Sequence, residues 1–378
     1  MPLFLTDEQS MLRDTARQFV AVTAPISHMR SLRDARDPAG FDRDLWKQFA
    51  EMGFTAILIP EGEGGLGLGH VEAGVVLEEI GRNLTPSPFL STAVTAVTAL
   101  KPGSADLRQI WFSRIAAGEA VAALAVDEGA KHRPAQIALK AERSGNGFRL
   151  TGAKSFVPLG HVADLIVVAA RTAGSPGDTD GITLFAVDKG AAGLTATPER
   201  LADASVAAQL RLEGVELDAD AVIGEVDQGW PGLSRILSAG RVGASSEMLG
   251  VGGGAMDMTI GYLKERRQFG VPIGSFQALQ HRAAHLYSEM EVARAAVLKA
   301  QQLLDADDPG ADRAALVAKA MTGLAATLAV QEGVQMHGGI GMTDEYDIGF
   351  YMKRGRLLAE LFGDTNWAAD QLARMSGY

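Results

Sequence analysis

The chain has 378 residues, room for about two to three domains and a large core. Hydrophobic residues make up 47% and charged ones 21%, the balance of an ordinary globular protein, and a net charge of −11 argues against a nucleic-acid binder, which normally shows a basic stripe. With no cysteine, disulfides, thiolate nucleophiles and cysteine-ligated zinc or iron–sulfur sites are excluded as well.

The opening MPLFLTDEQSMLRD carries no signal-peptide pattern, and no run approaches the roughly 18 uninterrupted apolar residues of a membrane helix. A soluble, cytoplasmic chain is expected. The first third reads as helices. Thr6-Asp7-Glu8-Gln9 is a capping box, and the helix it opens should run to about Val22. Residues 42–52 form a second amphipathic helix stopped by Gly53. A short apolar link then leads into the glycine-rich 61–69, followed by helices over 70–81, 89–100 and 107–117.

Near Gly118 the period changes. Short apolar or alternating runs at 121–126, 137–143, 147–151, 164–171, 182–187 and 206–213 are separated by Gly, Pro, Asp and Ser turns. That spacing predicts a compact β-barrel or sandwich, and the strand–helix alternation of a parallel dinucleotide fold is absent. Beyond Val222 helices return over 232–268, 276–304, 311–336 and 347–361, with a tail helix after Thr365. Four long helices with short links read as an antiparallel bundle. The fold class is therefore α+β: an N-terminal helical domain (1–119), a central β domain (120–224) and a C-terminal four-helix bundle (225–378).

Two glycine patterns mislead. Gly62-Glu-Gly64-Gly-Leu-Gly67 and Gly250-Val-Gly252-Gly-Gly-Ala255 match dinucleotide fingerprints, but neither follows a strand. A tight loop and close helix packing account for them better. His281, His285 and Glu289 share one helix face, yet no further ligand set accompanies them, so no metal is expected. Arg266-Arg267-Gln268-Phe269-Gly270, followed by Ser275-Phe276-Gln277, leaves two readings open. The arginines answer the negative end of a helix, or an Arg-x-x-Phe pair grips a phosphate and stacks on a ring. Gln335-Met-His-Gly-Gly-Ile-Gly341 is likewise a glycine helix stop or a cradle of amides for a diphosphate.

Together these segments, with Ile59-Pro60-Glu and the Gly-Gly-Leu-Gly-Leu that follows, resemble the acyl-CoA dehydrogenase family over essentially the whole chain. The resemblance implies FAD, a tetramer built from C-terminal bundles, and α,β-desaturation of an acyl-CoA thioester, with electrons leaving to an electron-transfer flavoprotein or similar acceptor. By position, Arg266, Phe269 and Gln277 would contact the adenosine-diphosphate part of FAD, as would Gln335, Gly338 and Gly339. In the family both groups reach a neighbouring subunit's flavin. Three segments depart from the family pattern. The slot of the customary catalytic glutamate holds Phe362 or Gly363, depending on the register chosen, and the alternative slot before Arg241 is Gly240. Phe156-Val157-Pro158 replaces the usual Trp-Ile-Thr, so Phe156 and Pro158 would border the flavin without a threonine hydroxyl. Ala123 to Gly129 matches its family segment only faintly.

The base is then sought elsewhere. Glu247 lies about one and a half turns past Arg241 on the long helix, among Ala, Ser, Met, Leu and Gly. Such ground desolvates a carboxylate, as α-proton abstraction requires. The surrounding segment resembles a bacterial branch acting on steroid side chains and other bulky acyl-CoAs, with a glutamate on this helix. Glu360 and Asp364 are the rival carboxylates, and Glu247 itself also reads as a bundle carboxylate paired with an arginine or as one facing solvent. Other readings are a catalytically silent subunit of an α2β2 heterotetramer, in place of a homotetramer, and an oxidase or flavin hydroxylase on the same fold.

Overall fold

Thr6 opens the first helix as its spacing requires. Its hydroxyl accepts from the Gln9 amide at 3.2 Å, and Gln9 Oε1 accepts from the Thr6 amide at 3.0 Å. The protein is seen in a computed structural model that describes residues 3–378. Helices α1 (Asp7–Thr23), α2 (Ile26–Asp34) and α3 (Arg43–Glu51) lead to a 3₁₀ turn at Phe54–Ala56. They are followed by α4 (His70–Arg82), a π-helical stretch Leu90–Ala96 continuing into α5 (Val97–Leu100), and α6 (Ala105–Ala116). Glycine-rich 61–69 is a loop that opens with a 3₁₀ turn at Glu61–Glu63; among the described residues no strand precedes it. The short, polar α2, with Met29 its only buried side chain, was not expected from the sequence.

Two compact units emerge. One comprises Leu32–Gly69 and Pro86–Gly240 and contains the sheet. Its strands are β1 (Ala122–Ala125), β2 (Lys140–Ser144), β3 (Gly147–Pro158), β4 (Leu165–Arg171), β5 (Ile182–Asp188), β6 (Leu194–Arg200), β7 (Val206–Leu217) and β8 (Val222–Ile223). The expected barrel or sandwich takes the form of one mixed sheet in the order β6-β7-β3-β2-β4-β5-β8, with β1 parallel to β4. Leu150, Val157, Ile166, Val168, Phe185 and Leu210 are among the side chains of its core. Arg171 ties the loops of this unit: its guanidinium donates to the carbonyls of Ile137, Ala135, Ala173, Asp178 and Asp180. β6 is an almost wholly exposed edge strand, which is why its sequence lacks a readable apolar face.

The other unit comprises the chain through Ser31, His70–Thr85 and Arg241–Tyr378. It contains most of α7 (Trp230–Glu265), then α8 (Gln277–Asp305), α9 (Ala311–His337), α10 (Ile348–Glu360) and α11 (Thr365–Met375). Between α7 and α8 lies a small hairpin of β9 (Arg267–Gln268) and β10 (Val271–Pro272). α9 is long and apolar enough to cross a membrane, but over half of its most apolar window is buried within the structure. Met290, Val297, Ala318 and Ala325 share a core cluster between α8 and α9.

The glycines of α7 have a packing role. A methyl group at Gly250 would collide with the Glu78 carbonyl of α4, and one at Gly81 of α4 with the Glu247 carbonyl. Cβ atoms at Gly252 and Gly254 would meet Met290 Cε and Tyr351 Cε1, each at 2.6 Å. These residues let α4, α8 and α10 approach the α7 backbone, and α7 runs on as unbroken α-helix. Close helix packing, one of the two readings above, is what the run provides.

Candidate active site

Glu247 projects from the middle of α7 and is 2% exposed. Arg354 of α10 donates to its Oε1 from Nε at 2.8 Å and from Nη2 at 2.5 Å. A carboxylate removed from water survives as a charge only with such a partner. The neighbouring Ser245 and Ser246 turn their hydroxyls back onto the helix, to the Arg241 and Val242 carbonyls.

The turn between α10 and α11 lies in the same unit. Phe362 and Gly363 both have positive φ, +58° and +101°. Arg241 Nε donates to the Phe362 carbonyl at 3.0 Å, and its guanidinium stands 4.8 Å from the Trp367 ring centroid. Fully buried Lys319, from α9, donates to the carbonyls of Leu358 (2.6 Å) and Ala359 (2.9 Å), which close α10. Burial pushes its ammonium down to about 7, helped by Arg241 and opposed by Glu360 and Asp364. The two rival carboxylates have structural partners: Glu360 pairs with Arg356 at 2.8 Å, and Asp364 caps α11 through the Trp367 amide. Arg354 was missed in the sequence because nothing local marks it. Lys319 was missed as well, although it stands out as the one charge in the apolar run 314–330.

The basic–aromatic segment forms the β9–β10 hairpin. Phe269 and Gly270 take left-handed conformations at its tip, and the Phe269 ring is 92% exposed, edge-on to Phe276 at 6.2 Å. Arg266 and Gln277 are exposed beside it. The glycine loop after α9 is brought close, because Tyr262 near the end of α7 stacks on His337 at 4.5 Å. There Gln335, Gly338 and Gly339 are exposed, and no atom stands within 4 Å of a Cβ placed on either glycine. His337 Nδ1 donates to the Gly333 carbonyl at 2.7 Å, while its Nε2 is buried without a partner and burial holds its titration below the usual range. Exposed guanidinium, ring and open amides have the chemistry that a diphosphate and a purine need.

Phe156 and Pro158 lie in the sheet-bearing unit. Phe156 has φ +52° inside a register shift of β3 against β7, a bulge of the kind that re-aims side chains next to sites. Pro158 follows it, opposite Ala207. The preceding Lys154 is fully buried, donates to Val126 O and to Glu128 Oε1, and is pushed down by burial against the pull of Glu128. Among the described residues no group of three or more His, Cys, Asp or Glu stands together as for a metal; His285 and Glu289 approach only to 3.8 Å.

Residues 6–119, 124–215 and 227–377 match the N-terminal, middle and C-terminal domains of acyl-CoA dehydrogenase. The fold and these matches define a flavoprotein oxidoreductase. IpdE2, an acyl-CoA dehydrogenase of Mycolicibacterium smegmatis, is 32% identical over 98% of each chain. A solved steroid ACAD variant of Tcur3481–Tcur3483 is 30% identical over 98% of each chain, with a TM-score of 0.89. The ChsE4–ChsE5 complex from Mycobacterium tuberculosis is 27% identical over the full length of each chain, also at 0.89. The chain belongs to the acyl-CoA dehydrogenase family.

Proposed function

We propose that the chain desaturates a bulky acyl-CoA thioester between its α- and β-carbons, with FAD as cofactor and Glu247 as the base. One observation carries the choice of base. In either register the customary slot holds no carboxylate, only Phe362 or Gly363, the alternative slot is Gly240, and Glu247 is a buried carboxylate held by an arginine. Glu360 and Asp364 are engaged as a surface pair and a helix cap.

In this reading Glu247 takes the α-proton at a carboxylate oxygen, and its burial keeps water from competing for it. Bound FAD supplies the acceptor for the hydride that leaves the β-carbon. Arg266, Phe269 and Gln277, with Gln335, Gly338 and Gly339, hold its adenosine-diphosphate part, on a neighbouring subunit of a tetramer. Exposure of all six in the single chain supports that assignment. Phe156 and Pro158 border the ring system. Electrons leave to an electron-transfer flavoprotein, the setting is the cytoplasm, and the chain divides into domains at 1–119, 120–224 and 225–378.

The test is Glu247→Gln. The variant should purify yellow with flavin bound and lose at least about 100-fold in turnover, the share typical of a general base. A fully active variant rejects the assignment.

A second reading has independent support. Phe156 and Pro158 lack the family's hydroxyl, and the ChsE4–ChsE5 relative is a complex of two different chains. A silent subunit completing a paralogue's flavin site in an α2β2 heterotetramer would purify colourless alone and gain flavin only with its partner. Peroxide formed stoichiometrically in air would instead mark an oxidase or hydroxylase.

A further inference from the structure

We propose that Arg354 is a positioning residue for proton abstraction, the fixed positive charge that keeps Glu247 ionised and holds its Oε1 in one place. The proposal rests on Glu247 being the base. Glu247 sits in a core-like setting where a carboxylate without a cation favours its neutral form, and a carboxylic acid removes no proton. Both guanidinium donors converge on the same oxygen, a forked grip that sets direction as well as charge.

Arg354 is also placed with little freedom. One turn earlier on α10, the Tyr351 hydroxyl donates to the Arg82 carbonyl of α4 at 2.7 Å. One turn later, Lys319 holds the Leu358 and Ala359 carbonyls. Beside it, Gly355 lies flat against Val251 of α7 and Val330 of α9, where a Cβ would meet side-chain atoms at 3.5 and 3.9 Å. Three helices thus fix the segment from which the guanidinium reaches Glu247. A pair that only fastened α7 to α10 would affect stability and leave chemistry alone. A pair that prepares the base would affect proton transfer first.

The experiment separates these roles with flavin-loaded enzyme and an acyl-CoA analogue bearing sulfur at the β-position and deuterium at the α-carbon. Such a thioester has no hydride to give. The α-deuteron passes to the carboxylate, the C–D electron pair stays on the thioester as an enolate, and a solvent proton returns. Arg354→Gln should slow this exchange about 100-fold or more while analogue affinity changes less than about threefold. Arg354→Lys, which keeps the charge and loses the fork, should recover exchange to within about tenfold of the natural enzyme. Infrared difference spectra taken against Glu247→Gln give a readout without turnover. The natural protein and Arg354→Lys should show an ionised carboxylate, and Arg354→Gln a protonated one.

Exchange at the natural rate in Arg354→Gln, with Glu247→Gln inactive, overturns the positioning role and leaves the base intact. Exchange at the natural rate in Glu247→Gln removes the base reading and this proposal with it. Should Arg354→Gln fail to fold, Arg354→Lys decides: a protonated carboxyl in a variant with full exchange overturns the proposal.

Discussion

Lys319 places an ammonium where no water reaches it, and its balance sheet is testable by pH. Burial lowers its titration from 10.5 to about 7, with Arg241 adding to the shift. Below about pH 7 the amine is protonated in both folded and unfolded chains, so the full desolvation cost is present. Between there and 10.5 the unfolded chain binds one more proton than the folded one, so this group makes stability rise with pH, by on the order of 1 kcal/mol per pH unit. Denaturation midpoints at pH 7 and pH 9 should therefore move in favour of the natural protein relative to Lys319→Met. A difference that stays constant between the two pH values would contradict this. The amine keeps its hydrogen bonds to Leu358 and Ala359 in either charge state, because a neutral amine still donates.

At the scale of elements, the α4–α7 crossing decides the sign of glycine substitutions. Alanine favours a helix interior by roughly 1 kcal/mol over glycine. At Gly250 and Gly81 that gain is overcome, because the new methyl would run into the Glu78 and Glu247 carbonyls. Gly250→Ala and Gly81→Ala should each destabilise by about 1–3 kcal/mol, the usual cost of overpacking. Gly261, on the same helix, has nothing within 4 Å of a built Cβ. Gly261→Ala should stabilise by up to about 1 kcal/mol. Urea midpoints of the three variants check both signs, and a stabilised Gly250→Ala would show that the helices can separate freely.

For the whole molecule, the exposed hairpin and glycine loop give the clearest prediction. Phe269 touches little of its own chain beyond Phe276, so Phe269→Ala should change thermal stability of the single chain by no more than about 0.5 kcal/mol. The same variant should lose bound flavin and the larger assembly, read by flavin per chain and by light scattering. Retention of both would remove Phe269 from the cofactor assignment.

Much of this was legible without coordinates because it is written locally. The Thr6–Gln9 box, the stop at Gly53, the shift of period near Gly118 and the Arg266–Gly270 turn each depend on neighbours within a few residues, and local sterics and hydrogen bonds settle them. Where strands face solvent, as β6 does, the pattern carries no such signal and the element was missed. Glu247 stood out as a lone acid on an apolar helix, but its meaning depends on Arg354, 107 positions away. The α7 glycines posed a question that only α4 answers, since a backbone crossing depends on atoms from distant segments. The sequence by itself determined the helix–β–helix order of the chain, the family and the candidate carboxylate. Tertiary structure alone decided which charge meets that carboxylate and which helices press upon it, because burial and ion pairing arise only when remote parts of the chain exclude water together.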